Sequence, residues 1–414
     1  MYSQVFKFIE MEQKRQDSNI ELIASENFVS DNVLKAMGSI FTNKYAEGYA
    51  SRRLDGTGNT GRYYGGCENV DALEEYCIQL WKKVFRTDYH VNVQPWSGSQ
   101  ANMEAYAAFI KPGMTILSMD LNSGGHLSHG SSVSQVGKLY NILSYGVTRD
   151  GYIDYVDFAE KILFNKPDLI LAGASAYPRT IDFEKIYDMI QYAKFTLKDD
   201  TYNPIFMVDM AHIAGLVATG YHPSPFGFAN VITTTTHKTL RGPRGGIIFC
   251  KPEYSKKVDS AVFPGSQGGA NFATIAAKAV CAEEALDPSF TEYIGRVVRC
   301  SKTMANEFSK MGYKVITGGT DNHLFLLDFS DTHPNITGAM VQDTLDEYGI
   351  TLNKNCVPGE KRSPKEASGV RIGTAPMCSR GWTEKQFIDT AHHINDIISE
   401  LNNSNCAKKD FCDI

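Results

Sequence analysis

Val231-Ile-Thr-Thr-Thr-Thr-His-Lys-Thr-Leu-Arg-Gly-Pro-Arg-Gly-Gly246 opens as a β-branched run and closes in Gly and Pro. The first half fits a pleated, half-buried strand, and the second half ends one. Lys238 sits at the join. A bare ammonium at the end of a core strand is costly to hold. Condensing the amine with an aldehyde removes that cost, and a Schiff base with pyridoxal phosphate is the familiar case. A surface lysine at a strand–loop corner is the plain alternative for this stretch taken alone.

Outward from this strand, apolar runs alternate with helical patterns. Strands are expected at Val91 to Gln94, Thr115 to Met119, Leu169 to Ala172 and Ile205 to Asp209. Helices are expected at Gln100 to Ile110 and Phe183 to Phe195, with an earlier one at Asp71 to Phe85. That alternation predicts an α/β fold with a mostly parallel central sheet and helices on both faces. Helical patterns cover 272–286 and 290–311. Beyond them come strands at His323 to Phe329 and Val370 to Gly373, with helices at Thr337 to Tyr348 and 383–401. The expected organisation is an N-terminal arm (1–40), a large α/β domain (41–287), a smaller C-terminal α+β domain (288–401) and a disordered tail (402–414).

Composition narrows the function classes. The chain has 414 residues, 43% hydrophobic and 21% charged, as in an ordinary globular protein. A net charge of −6 argues against a nucleic-acid or anionic-membrane partner. No apolar run is long enough to span a membrane, and the N-terminus lacks the pattern of a cleavable signal. Nine scattered cysteines without a Cys-x-x-Cys motif read as reduced thiols in a cytoplasm.

Several constellations bear on Lys238. Asp209 stands at the C-terminal end of an apolar strand, where open α/β sheets bind ligands. A carboxylate there can keep a pyridine nitrogen protonated; it can also cap the next helix. Ser97, Gly98 and Ser99 follow a strand and open a helix, as a phosphate cup would, or as a plain serine cap would. His126 lies between glycines in Gly124-Gly-His-Leu-Ser-His129, and an imidazole there could lie over a ring or simply occupy a loop. The two histidines raise a metal site, but no further ligand cluster accompanies them, and no metal is expected. Arg371, inside the strand Gly369-Val-Arg-Ile-Gly373, would suit a carboxylate bound in bidentate fashion, or a structural ion pair.

In order along the chain, these motifs resemble those of the serine hydroxymethyltransferases, a family of the fold-type I pyridoxal-phosphate enzymes. The likeness runs from about Glu21 to about Ile398. It includes Glu21-Leu-Ile-Ala-Ser-Glu-Asn27, Asn43-Lys-Tyr-Ala-Glu-Gly48, Tyr63-Tyr-Gly-Gly-Cys-Glu68, Ser97-Gly-Ser-Gln-Ala-Asn102 and Val208-Asp-Met-Ala-His212. Thr233-Thr-Thr-Thr-His-Lys-Thr239, Gly242-Pro-Arg-Gly-Gly246 and Gly318-Gly-Thr-Asp-Asn-His323 continue it.

The resemblance implies an internal aldimine between pyridoxal phosphate and Lys238, Asp209 on the pyridine nitrogen and His126 on the ring face. It implies Ser97, Gly98, Ser99, Thr235 and His237 around the phosphate end, and Ser175 and His212 near the phenolic oxygen. Tyr45, Gly268 and Gly269 would arrive from a partner subunit. Arg371, Ser25 and the partner's Tyr64 would hold the substrate carboxylate, and the partner's Glu47 would move a proton near the serine hydroxyl. Asn355, Leu121, Gly125 and Leu127 would face tetrahydrofolate, the co-substrate. The implied activity is reversible conversion of serine and tetrahydrofolate to glycine and 5,10-methylenetetrahydrofolate. The implied setting is one-carbon metabolism and amino-acid biosynthesis, in a cytoplasmic homodimer.

The chain departs from the family pattern in places. Ala50 to Arg62, thirteen residues with three glycines, replace a short Pro-Gly-x-Arg turn between Glu47 and Tyr64. Lys194 to Asn203 is longer than usual. Gly268-Gly-Ala270 and Thr374-Ala-Pro376 replace Gly-Gly-Pro and Thr-Pro-Ala. Two other readings stay open on sequence: a related aldolase or methylserine-type transferase, and a non-catalytic binding protein on the same fold.

Overall fold

The computed structural model describes residues 3–50, 61–199 and 201–410, with side chains as far as 404. The insertion expected at Ala50 to Arg62 therefore lies mostly outside the described residues; Ala50, Gly61 and Arg62 are within them.

A short strand, β1 (Ile20–Glu21), leads into the large domain. There a seven-stranded sheet gathers β2 (His90–Asn92), β3 (Thr115–Met119), β4 (Asn141–Tyr145), β5 (Leu169–Ala172), β6 (Ile205–Asp209), β7 (Val231–Thr235) and β8 (Gly246–Cys250) in the order 2-8-7-6-5-3-4. β4, β3, β5, β6 and β7 run parallel, and β8 is antiparallel to both its neighbours.

The period-two pleat divides the central strands between two cores. Ile170, Phe206, Val208, Ile232 and Phe249 enter one, while Leu169, Leu171, Met207, Val231 and Ile248 enter the other. Helices close both faces. On one side, Gly98–Phe109 and Ser255–Val262 contribute Ala101, Ala105, Val258 and Val262. On the other, Glu68–Phe85 contributes Trp81 and Phe272–Leu286 contributes Ile275. Burial on both faces explains why these strands read as nearly continuous apolar runs.

The second sheet is smaller. β9 (Lys314–Val315), β10 (Leu324–Asp328), β12 (Asn353–Asn355) and β13 (Gly369–Gly373) pair antiparallel in the order 12-13-10-9. β11 (Ile350–Thr351) stands apart and pairs in parallel with β1. Phe325, Leu327, Val370 and Ile372 join the core that holds the large sheet.

Two expectations shift. The last helix runs Glu384–Asp410, so residues 402–410 are helical and not a disordered tail. No Gly or Pro interrupts Asn402 to Asp410, so nothing local stops the helix. Asp209 does not cap the next helix, which spans Ala214–Thr219 with Ile213 before it.

Candidate active site

The C-terminal edge of the parallel strands opens into a polar cleft of about 340 Å³. Its walls carry Ser25, Ser97, Gly98, Ser99, His126, Ser175, Asp209, His212, Thr235, His237, Lys238 and Arg371. Each is a residue singled out from the sequence, and together they reach the cleft from several separate loops and strand ends.

Lys238 follows β7 and is only 8% exposed. Burial pushes its amine down to about 8, and the nearby Asp209 carboxylate resists that fall. The site thus lowers the cost of a neutral, nucleophilic amine near neutral pH. Asn27 donates to the Lys238 carbonyl at 2.8 Å and accepts from Ser379 at 2.6 Å, anchoring the turn behind the amine.

Asp209 ends β6. Burial alone would raise its pKa, but the His129 hydrogen bond and charge, followed by Lys238 and Asn102, hold it well below the usual carboxylate range. His129 Nε2 lies 3.0 Å from Oδ2, the Asn102 amide donates to the same oxygen at 2.9 Å, and the Ala211 N–H donates to Oδ1 at 3.0 Å. Asn102 also accepts from the Thr233 hydroxyl at 2.6 Å, tying β7 to the carboxylate. Gly173 has φ +140°, and a Cβ there would fall 2.3 Å from the Asp209 carbonyl, so only glycine lets β5 turn so close to β6.

His126 is neutral at physiological pH. Burial, then the adjacent His129, pushes it down to about 4, and its Nδ1 lies 2.7 Å from the Ser128 hydroxyl. His212 is likewise pushed well down by burial and sits 3.2 Å from His323.

At the cleft's other end, Ser97 caps Gly98–Phe109, accepting from the Gln100 N–H at 3.2 Å. A Cβ on Gly98 would stand 2.5 Å from the Thr235 methyl, so the backbone there approaches β7 as closely as glycine permits. The Thr235 hydroxyl and His237 Nδ1 are buried and have no hydrogen-bond partner among the described residues. Two orphaned buried polar atoms beside a helix N-terminus are what a phosphate group satisfies. His237 is pushed down to about 3 by burial, with Lys238 and Arg244 adding to the fall.

Arg371 projects from β13 into the cleft and is 8% exposed. It donates to Asn353 Oδ1 at 3.1 Å, the Ser175 carbonyl at 2.8 Å and the Ser25 hydroxyl at 3.5 Å. All three partners are neutral. A buried guanidinium whose hydrogen-bond partners are all neutral calls for an anionic ligand.

The remaining expected residues are not part of this cleft's wall. Tyr45, Glu47, Tyr64, Gly268 and Gly269 gather elsewhere on the chain. The Tyr45 hydroxyl donates to Glu47 at 3.0 Å, and the Tyr45 and Tyr64 rings meet edge-on at 5.2 Å. Cβ atoms on Gly268 and Gly269 would lie 3.2 and 3.1 Å from the Tyr45 side chain. Tyr45 and Tyr64 are 54% and 42% exposed. Gly125 is buried, and a Cβ on it would lie 2.2 Å from the Met119 carbonyl. Leu121 and Leu127 are exposed, and Asn355 donates to the Cys356 carbonyl at 2.6 Å. A narrow crevice between Ser123, Gly124 and Cys356 brings these two segments together.

Sequence reasoning missed His129 and Asn102 as partners of Asp209. They are 80 and 107 positions away from it, and nothing local marks either pairing. Among the described residues, no group of three or more His, Cys, Asp or Glu side chains gathers as a metal site.

A family model described as serine hydroxymethyltransferase matches residues 1–394. A serine hydroxymethyltransferase of Coprothermobacter proteolyticus is 53% identical over 395 residues, covering 95% of this chain and 90% of the relative.

Proposed function

The chain belongs to the serine hydroxymethyltransferase family, and from that premise we propose how its residues divide the work. It is a pyridoxal-phosphate-dependent transferase that interconverts serine and glycine with tetrahydrofolate as co-substrate. Neither the aldolase-type nor the non-catalytic reading is favoured.

When bound, pyridoxal phosphate supplies an aldehyde for amine exchange and a ring that accepts the electrons of a breaking bond. The cleft fits it. The orphaned Thr235 hydroxyl and His237 Nδ1, with Ser97, Gly98 and Ser99, suit the phosphate end. Lys238 offers the amine, and burial keeps part of it unprotonated. Asp209, anchored by His129, Asn102 and the Ala211 N–H, stays anionic to pair with the ring nitrogen. Neutral His126 brings a flat face without a competing charge. Ser175 and His212 flank the phenolic side.

Arg371, with Ser25, receives the carboxylate of serine or glycine. Its planar fork orients the substrate while its buried surroundings exclude water. The observation that carries this reading is that Lys238 and Arg371, two buried cations, share one cleft while Arg371 has only neutral partners.

We further propose a homodimer. The Tyr45–Glu47–Tyr64–Gly268–Gly269 cluster faces outward and would complete a second copy's cleft, with the partner's Glu47 moving a proton at the serine hydroxyl. The helix Gln4–Ser18 supports this, since it buries none of its residues and exposes Val5, Phe8, Ile9 and Met11. Asn355, Leu121, Gly125 and Leu127 are assigned to the folate side. The large domain is taken as 41–287 and the small one as 288–401. Residues 1–40 are taken as an N-terminal arm that bridges the two: Ile20 pairs with Ile350 of the small domain, while Asp31–Met37 packs on Phe272–Leu286 of the large one. A cytoplasmic setting is consistent with the buried free thiols Cys67, Cys77, Cys250, Cys281, Cys300 and Cys378. No helix among the described residues is long and apolar enough to cross a membrane.

Glycine formation from serine, assayed with and without tetrahydrofolate, tests the folate assignment. Strong dependence on tetrahydrofolate is expected; equal rates would contradict it.

A further inference from the structure

One buried charge lies outside the machinery above. Lys278, on the helix Phe272–Leu286, is 1% exposed and makes no ion pair among the described residues. Its Nζ donates to the carbonyls of Val93 at 2.7 Å, Pro95 at 2.9 Å and Gly246 at 2.8 Å. Three acceptors need three N–H donors, which only the ammonium form carries. Burial pushes the amine down to about 8, so the cation persists at neutral pH.

The three carbonyls belong to the joint beneath the phosphate end of the cleft. Val93 and Pro95 lead from β2 to Ser97. Gly246 opens β8, its N–H donates to the Pro95 carbonyl at 3.1 Å, and a Cβ on it would lie 2.4 Å from the Ser97 carbonyl. Without Lys278, these carbonyls would turn their negative ends into a buried space just behind an anion site. Burying the ammonium is costly, and the nearby Glu104 and Glu74 carboxylates offset only part of that cost. A phosphate arriving above the joint offsets that cost, and the ammonium in turn favours the phosphate.

We propose that Lys278 is a positioning residue for the phosphate group of pyridoxal phosphate: its ammonium fixes the Val93–Pro95 and Gly246 backbone that carries Ser97 and Gly98, and supplies that loop with positive charge. The inference rests on the assignment of Ser97, Gly98 and Ser99 to the phosphate.

The test compares two aldehydes on the apo-protein. Pyridoxal phosphate and pyridoxal both react with Lys238, so the ratio of their affinities isolates the phosphate. Wild type, Lys278→Met and Ser97→Ala are titrated with each by absorbance. Lys278→Met is expected to lower the ratio by about tenfold or more, with pyridoxal affinity held within about twofold. If Ser97→Ala lowers the ratio and Lys278→Met leaves it within about twofold of wild type, Lys278 has no such role. Equal weakening of both aldehydes by Lys278→Met makes it a structural residue only and overturns the proposal. An unchanged ratio in Ser97→Ala overturns the cup assignment, and this inference with it. Should Lys278→Met fail to fold, Gly245→Ala carries the same expectation. Its added Cβ would sit 2.4 Å from Lys278 Cε and displace the ammonium while leaving the lysine in place.

Discussion

The Lys238 cleft and the Tyr45–Glu47–Tyr64 cluster both bring polar side chains into contact and end in opposite conditions. In the cleft, one chain brings together a buried amine, a buried carboxylate and a buried guanidinium. Burial lowers the pKa of the amine and the guanidinium, while His129, Lys238 and Asn102 hold that of the carboxylate down against burial. In the cluster, a carboxylate and two tyrosines meet at hydrogen-bond and ring contact on an accessible surface. Order without burial is the informative part. Exposed side chains lose rotamer freedom when they are fixed, and here they are fixed from beneath. Arg62 is fully buried and bonds Asp71, Glu74 and the Gly48 carbonyl, while the Tyr63 N–H donates to the Glu47 carbonyl at 3.2 Å. This brace holds the backbone beneath the cluster in place. It also closes the neck of the insertion: Gly48 and Gly61 approach so closely that a Cβ on Gly48 would lie 3.0 Å from the Gly61 carbonyl.

The largest expected effect falls on the cleft. Lys238→Ala abolishes turnover, because no other amine in the cleft can exchange with the substrate. Normal turnover in that variant would remove the cleft's claim to be the active site. Next comes the brace. Arg62→Ala leaves Asp71 and Glu74 buried without their cation, at a cost of about 3–5 kcal/mol in unfolding free energy. Chemical denaturation checks this, and a loss well under 1 kcal/mol would mean that the cluster is not held from below.

Arg371→Ala then separates substrate binding from cofactor binding. Losing a charge-assisted contact from a desolvated site costs about 2–5 kcal/mol in kcat/KM for serine. Lysine does not restore it, because an ammonium lacks the planar fork. Unchanged kcat/KM would refute the assignment. A smaller effect follows from the amine. Lys238 is protonated below about 8, so capture of pyridoxal phosphate by the apo-protein rises about tenfold per pH unit up to that value and levels off above it. Asp209 raises the amine's pKa, so Asp209→Asn shifts the inflection to lower pH. A flat stopped-flow profile between pH 6 and about 9 would break the link between burial and reactivity.

The smallest effect is expected at the insertion. With its neck closed by Arg62 and the Glu47–Tyr63 bond, replacing Ala50 to Arg62 by Pro-Gly-Lys-Arg retains the bracing arginine. The KM values for serine and tetrahydrofolate, and the dimer dissociation constant, stay within about twofold. A selective change in the folate KM would show that the insertion acts as a lid.

The sequence was most legible where the chain is buried on both faces. Thr115–Met119, Leu169–Ala172 and Ile205–Asp209 form strands with the expected ends because each is an apolar run between polar breaks. β8 was not expected, because Gly242-Pro-Arg-Gly-Gly246 reads as a terminator although the chain turns back directly into Ile247, Ile248 and Phe249. β4 escaped for the opposite reason: it lies at the sheet edge, and Asn141 to Ser144 are not fully buried. Within the site, residues carried by local motifs such as Ser97, Asp209 and Lys238 could be read directly. His129, Asn102 and Lys278 act across long separations in sequence, and their roles come from packing. Lys278 did leave one trace, a lone lysine within the apolar run Ala273-Thr-Ile-Ala-Ala-Lys-Ala-Val280.

The most direct test of a site shared between chains is complementation in a purified heterodimer. One chain carries Lys238→Ala and the other Glu47→Gln. If Glu47 serves the opposite cleft, one site of the pair regains both native residues and the other loses both. The heterodimer then turns over serine with tetrahydrofolate at about half the wild-type rate per dimer. A rate no higher than that of the Glu47→Gln protein would show that the cluster does not complete a second chain's active site.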